Sequence, residues 1–149
     1  MNEELEQRLH HEEITLATNK KRALAFFIDE MLLSFLLIIA LWDSFVQAGT
    51  TEEIIILTNS FVLEFMMMKI IYQSFFVMQY GATLGKLALK IRVIDTKTLD
   101  NPNVLVALNR AIIRVISEML LYLGFLWGIL NPMRQTWHDL SAKTLVVNA

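Results

Sequence analysis

Apolar and polar positions fall in long blocks along this chain. Residues 1–19 are polar and acidic, with Glu3, Glu4, Glu6, Glu12 and Glu13. Lys20-Lys21-Arg22 then opens an apolar segment over about residues 23–42, and its run Met31–Trp42 carries no charge. Twenty helical residues extend about 30 Å, the thickness of a bilayer's hydrocarbon core, so this segment predicts a membrane span. A short loop, residues 43–53, holds Asp43, Glu52 and Glu53 and no Lys or Arg. A second apolar segment covers about residues 54–78 and contains Glu64 and Lys69. Trp42 closes the first segment and Tyr80 the second, as interfacial aromatic anchors do. A third begins at Val104; its uncharged part, Met119–Leu130, stops at Asn131-Pro132, and the predicted span is about residues 112–131.

The intervening loop, residues 79–110, has a different period. Leu87–Asp95 alternates apolar and charged side chains, which predicts a short strand. Asp100-Asn101-Pro102-Asn103 reads as a turn and a helix start. The tail, residues 132–149, holds a second candidate strand at Thr144–Val147. The expected fold is an all-α integral membrane protein: a polar N-terminal segment, residues 1–19, then a membrane domain, residues 20–149. That domain is a three-helix transmembrane bundle with a short cytoplasmic loop containing a candidate β-strand.

Composition narrows the class. The 149 residues are 55% hydrophobic and 19% charged, with a mean hydropathy of +0.48, on the apolar side of the soluble range. Disorder is excluded by this apolar content, and a disulfide framework by the absence of cysteine. A net charge of −2 argues against a nucleic-acid partner. The basic residues set the expected orientation. Lys20, Lys21 and Arg22 precede the first span, and Lys86, Lys90, Arg92, Lys97 and Arg110 fill the second loop, so both flanks are predicted cytoplasmic. Three full spans put the C-terminus outside, whereas pairing of the two candidate strands requires it inside, with a re-entrant third segment. Both topologies stay open at this point.

Charges inside an apolar span are costly and usually face partners. Arg22 and Asp29 lie about 20° apart on one helix face, and Glu30 points about 100° away from Asp29. Arg110, Arg114, Ser117, Gly124 and Gly128 form a second stripe, flanked by Glu118 four residues after Arg114. The expected pairing is Asp29 with Arg110 or Arg114. Gly124 and Gly128 form a small-residue face for close helix approach. Glu64 shares a face with Ser60, opposite Lys69 and Gln73, and is the candidate protonatable carboxyl.

Other chemistry is not supported. Gly81-Ala82-Thr83-Leu84-Gly85-Lys86 lacks the spacing and the hydroxyl of a phosphate loop and reads as a surface turn, with Lys86 near lipid headgroups. His138-Asp139 reads as a cap or an arginine partner rather than as a catalytic pair, and no group of His, Asp or Glu has metal spacing. No cofactor is expected.

These residues together resemble the RDD family of small bacterial membrane proteins. The resemblance covers about residues 20–147. It rests on Arg22-Ala23-Leu24-Ala25-Phe26-Phe27-Ile28-Asp29, on Gly81 to Lys86, and on Lys90-Ile91-Arg92-Val93-Ile94-Asp95. Arg110 and Arg114 continue it, and Trp137-His138-Asp139 with Ala142-Lys143-Thr144 and Val146-Val147 complete it. The Arg and two Asp that name the family fall on Arg22, Asp29 and Asp139. Lys143 departs from the Gly common before that Thr. The resemblance implies a multi-pass protein of the bacterial cytoplasmic membrane and adds Asp139 to the Arg22/Asp29 network, which favours an inner C-terminus. The expected function is non-enzymatic and transport-related, as an oligomer that moves an ion or a proton or as a transporter accessory. The alternative is a structural or assembly factor of a larger membrane complex. Expected partners are the lipid bilayer and a second copy or another membrane protein.

Overall fold

The computed structural model describes residues 2–120, 123–131 and 133–148; the side chains of residues 2 and 123–125 lie outside that description. The fold is predominantly helical. After α1 (Asn2–His11), the long helix α2 (Asn19–Ala40) is opened by Thr18, whose hydroxyl accepts from the Lys21 backbone N–H at 3.2 Å. Short α3 (Trp42–Gln47) turns the chain into α4 (Thr51–Ser60) and α5 (Val62–Tyr80). The second apolar segment is therefore not one straight helix, since α4 and α5 meet at a 52° bend. Gly81, at φ +71°, closes α5 in a left-handed conformation that suits a residue without Cβ.

The loop that follows is more structured than a surface turn. Thr83 caps α6 (Leu84–Ala88), and strand β1 (Ile91–Asp95) follows. Asn103 caps α7 (Val104–Met119) by accepting from the Val106 N–H at 2.9 Å. Helix α8 (Leu123–Leu130), helix α9 (Trp137–Ala142) and strand β2 (Thr144–Asn148) complete the chain. Lys143 closes α9 at φ +54°, so the turn for which a Gly is common survives with a side chain in it.

The strands β1 and β2 pair antiparallel, with Ile91 opposite Asn148 and Asp95 opposite Thr144. Leu16 bridges to Val147, and the Ala17 N–H donates to the Val146 carbonyl at 3.0 Å, so the chain just before α2 lies along the outer side of β2. On the other side the Val93 N–H donates to the Gly81 carbonyl at 2.7 Å. The start of α2, the end of α5, the start of α7 and both strands thus share one layer. Its core is Ala17, Ala25, Val77, Ile91, Val93, Ala107 and Val146, with a second cluster of Leu9, Ile94, Met133, Leu145 and Val147 beneath α1.

The helical character is as expected, but among the described residues a third membrane-spanning helix is not found. Residues 112–131 do not form one helix, because α7 ends at Met119 and α8 is a separate short helix. The tail returns to pack α9 against α7 and β2 against β1. The contact between the tail and the start of α7 outweighs the continuity of an apolar run, because it satisfies buried charge and strand hydrogen bonds together. Among the described residues, α2 alone is a single helix long and apolar enough to cross a membrane, and the bent pair α4–α5 passes the same test jointly.

Candidate functional site: a buried charge network

Three polar centres sit between α2, α5, α7 and the sheet layer. The first is built on Asp139, which is fully buried at the start of α9. Its carboxylate caps that helix, accepting from the Thr136 N–H at 3.1 Å and the Thr136 hydroxyl at 3.0 Å. It also pairs with Arg22 Nη2 at 2.6 Å and with Arg110 Nη1. Arg110 further donates to Thr144 Oγ1, and Arg22 to the carbonyl of Arg134. Burial pushes the Asp139 carboxyl up, but the two guanidiniums outweigh it and hold it well below the usual carboxylate range. Burial drives the neighbouring His138 well below its ordinary value, so its ring is neutral at pH 7.

The second centre is Asp29, also fully buried. It accepts from the Tyr72 hydroxyl at 2.8 Å, the Thr83 hydroxyl at 2.6 Å and the Gly85 N–H at 2.9 Å. Its expected pairing with Arg110 or Arg114 is not formed. Neutral donors from α5 and α6 fill its oxygens instead. Gly85 permits this, because a Cβ there would lie 2.8 Å from Asp29 Oδ1 and would collide with the Ala25 carbonyl. The motif Gly81 to Lys86 is thus a docking element: Gly81 supplies the turn, and Gly85 lets α6 seat on α2.

The third centre joins Glu30, Lys69, Arg114 and Glu118. Lys69 Nζ lies 2.7 Å from Glu118 and 2.9 Å from Glu30. Arg114 lies 3.6 Å from Glu118 and 3.8 Å from Glu30, and its guanidinium stacks on Phe26 at 4.9 Å. Asp29 and Glu30 therefore serve different centres, as their divergence on α2 requires. Lys69 and Glu30 are the members that residue-by-residue reading passed over. The signal was there, since Lys69 lies on the face of α5 away from Glu64 and shares it with Gln73, and both are buried.

Other expected residues fall elsewhere. Glu64 is exposed in the first turn of α5 and touches none of the three centres, so it is not the buried carboxyl expected of it. Lys86 is buried at 9% exposure rather than lying at the surface. Gly128 is buried against Thr136, where a Cβ would meet Thr136 Cγ2 at 2.7 Å, so it admits the chain's own tail. The surroundings of Gly124 lie outside the described residues.

Two cavities touch these centres. One, of about 270 Å³, is lined by Arg22, Asp29, Lys86 and Arg114 on its polar side. The other, of about 720 Å³, lies further along α2 at Ser34, Leu37 and Ile38, and reaches Lys69 and Glu118. No group of three or more His, Asp or Glu among the described residues could hold a metal ion.

No curated protein and no solved structure matches the chain. The model of the RDD family matches residues 16–143, which include Arg22, Asp29 and Asp139. That match covers most of the chain, and with the long apolar helix α2 it marks a membrane protein. The chain belongs to the RDD family.

Proposed function

We propose that this is a non-enzymatic, multi-pass protein of the bacterial cytoplasmic membrane that moves a proton or a small ion across the Glu30/Lys69/Arg114/Glu118 cluster. The observation that carries this reading is the placement of the two cavities. One meets the cluster at Arg114, beside residues 22–29 of α2, and the other meets it at Lys69 and Glu118, beside residues 34–38. At 1.5 Å per residue these positions are separated by roughly 15 Å along the helix. An ion-paired barrier between two cavities is the arrangement that a gated polar path requires, and intramembrane charges commonly mark such paths. The larger cavity is walled by α2, α3, α4, α5 and α7 and is mostly apolar, so a second copy of the chain is the closing wall this reading calls for.

The topology that goes with this reading keeps both chain ends at the cytoplasmic face. Helix α2 crosses outward, the bent pair α4–α5 returns, and residues 104–130 enter and leave on the inner side. The basic flanks at Lys20–Arg22 and in the second loop support that orientation, and a reporter fused after Ala149 tests it. For the activity, the protein is reconstituted in vesicles carrying an internal pH dye, with imposed proton, sodium or potassium gradients. Flux above that of empty vesicles is expected, and it is lost in the charge-neutral pair Lys69→Met with Glu118→Gln. A wild-type protein as silent as empty vesicles sinks the transport reading. One observation favours the structural alternative: every cation of the cluster has a carboxylate partner, as in a fixed scaffold. A silent protein that co-purifies stably with another membrane protein would then carry that alternative.

A further inference from the structure

The cavity of about 270 Å³ at the start of α2 has an unusual charge balance. Its charged lining side chains are Arg22, Lys86 and Arg114 against Asp29 alone. Asp29 offers that space little, because its oxygens already accept from Tyr72, Thr83 and Gly85. Arg22 is matched by Asp139, and Arg114 by Glu30 and Glu118. Lys86 is different. Among the described residues it is the buried cation with no carboxylate within 4.0 Å, although it is only 9% exposed. Over the whole network the sum is five cations (Arg22, Lys69, Lys86, Arg110, Arg114) against four anions (Asp29, Glu30, Asp139, Glu118), which leaves one positive charge over. A buried charge without a partner is costly.

The remaining walls name the kind of anion. Phe26, Leu126 and Ile129 line the same cavity, and Leu126 and Ile129 are exposed on the outer side of α8. A cationic floor is thus continuous with an apolar rim. The floor presents two guanidiniums, whose forked donors match phosphate oxygens. The volume equals that of about nine water molecules in the liquid, room for a phosphate with a small polar substituent. It does not accommodate acyl chains, which would have to leave over the rim.

We propose that this cavity binds the phosphate of an acidic phospholipid, with Lys86, Arg22 and Arg114 around the phosphate and the acyl chains lying over Phe26, Leu126 and Ile129. The inference does not rest on transport, since the site is complete without any flux. Burial first, and then Arg110 and Arg114, push the Lys86 ammonium down to about 7, so an anion beside it also restores its charge.

The test uses the full chain, purified in a neutral detergent. Phosphatidylglycerol, phosphatidylcholine and inorganic phosphate are added separately, and binding is read by native mass spectrometry and by the shift in thermal midpoint. Phosphatidylglycerol is expected to bind as one tightly held copy and to raise the midpoint, with phosphatidylcholine and inorganic phosphate much weaker. Lys86→Met should weaken phosphatidylglycerol binding by roughly tenfold or more, without lowering the lipid-free midpoint. The exposed Lys97→Met should bind as the wild type does. Ile129→Glu puts a like charge on the exposed rim without touching the core, and should also lose the lipid. Inorganic phosphate binding as tightly as phosphatidylglycerol would overturn the lipid as occupant. Unchanged binding by Lys86→Met or Ile129→Glu, or no binding by the wild type, would overturn the site.

Discussion

Replacing Asp139 by Asn tests the central contact of this fold. The substitution keeps the side chain's shape but removes its charge. Arg110, at 4% exposure, and the half-buried Arg22 then lose their shared counter-ion. An amide oxygen can still accept one of the bonds now made to Thr136 and the guanidiniums, but its NH2 group faces donors. Breaking a buried ion pair by removing one partner costs about 3–5 kcal/mol, because an uncompensated charge stays behind. For a chain of this size, each kcal/mol moves the thermal midpoint by about 2–4 °C. The expected drop is therefore about 10 °C, followed by tryptophan fluorescence of the detergent-solubilised protein. Adding Arg22→Met should recover part of the loss, with a coupling energy above about 1 kcal/mol. A midpoint within about 2 °C of the wild type, or strictly additive losses in the double variant, would refute the ion-pair account.

Four further outcomes follow from the same contacts. Gly85→Ala should lower stability by about 1–3 kcal/mol in chemical or thermal unfolding, because the new methyl meets the Ala25 carbonyl and the Asp29 carboxylate. Asp29→Ala should lower the midpoint by leaving Tyr72, Thr83 and Gly85 without their acceptor, and Arg114→Ala should add to that loss rather than relieve it; recovery in the double variant would show that the two are paired after all. Lys143→Gly should be neutral or slightly stabilising and Lys143→Val destabilising by about 1–2 kcal/mol, since the residue holds φ +54°. On pH, the Asp139 pKa is depressed in the fold, so its contribution is fully present above the ordinary carboxylate range and is lost only as pH falls below it. Lys86 acts in the same direction but in a higher window. With its folded pKa near 7 among Arg110, Arg114, Asp29 and Asp139, the unfolded chain binds more protons between pH 7 and about 10.5. Stability of the lipid-free protein should rise over that range in the wild type and not in Lys86→Met, and parallel profiles would rule out a buried Lys86.

Much of this was legible in the chain before its fold. The strand β1 lay within the alternating stretch Leu87–Asp95, whose first two residues instead end α6, and its partner β2 showed at Thr144–Val147 in a short apolar run. Thr18 and Asn103 both cap helices, of which Asn103 lay in a readable helix start. The stripe of Arg110, Arg114 and Ser117 is the buried face of α7. Partner choice was not legible. Asp29 and Asp139 are both fully buried carboxylates, yet one is met by neutral donors and the other by two guanidiniums. Helical spacing tells which residues share a face, not which face arrives opposite.

What the sequence determined by itself was therefore a set of one-dimensional properties. It specified the apolar blocks, the basic flanks, the turn at Gly81 and the residues whose charge would be costly in lipid. What the tertiary structure decided was connectivity between blocks. It divided the third apolar segment, returned the tail to β1, left Glu64 exposed and brought Lys69 into the charge network. It also placed Lys86 in a cavity. The physical reason is that local propensity and hydropathy act along the chain, whereas the cost of an unpaired buried charge is settled only when residues as distant as Arg22 and Asp139 meet.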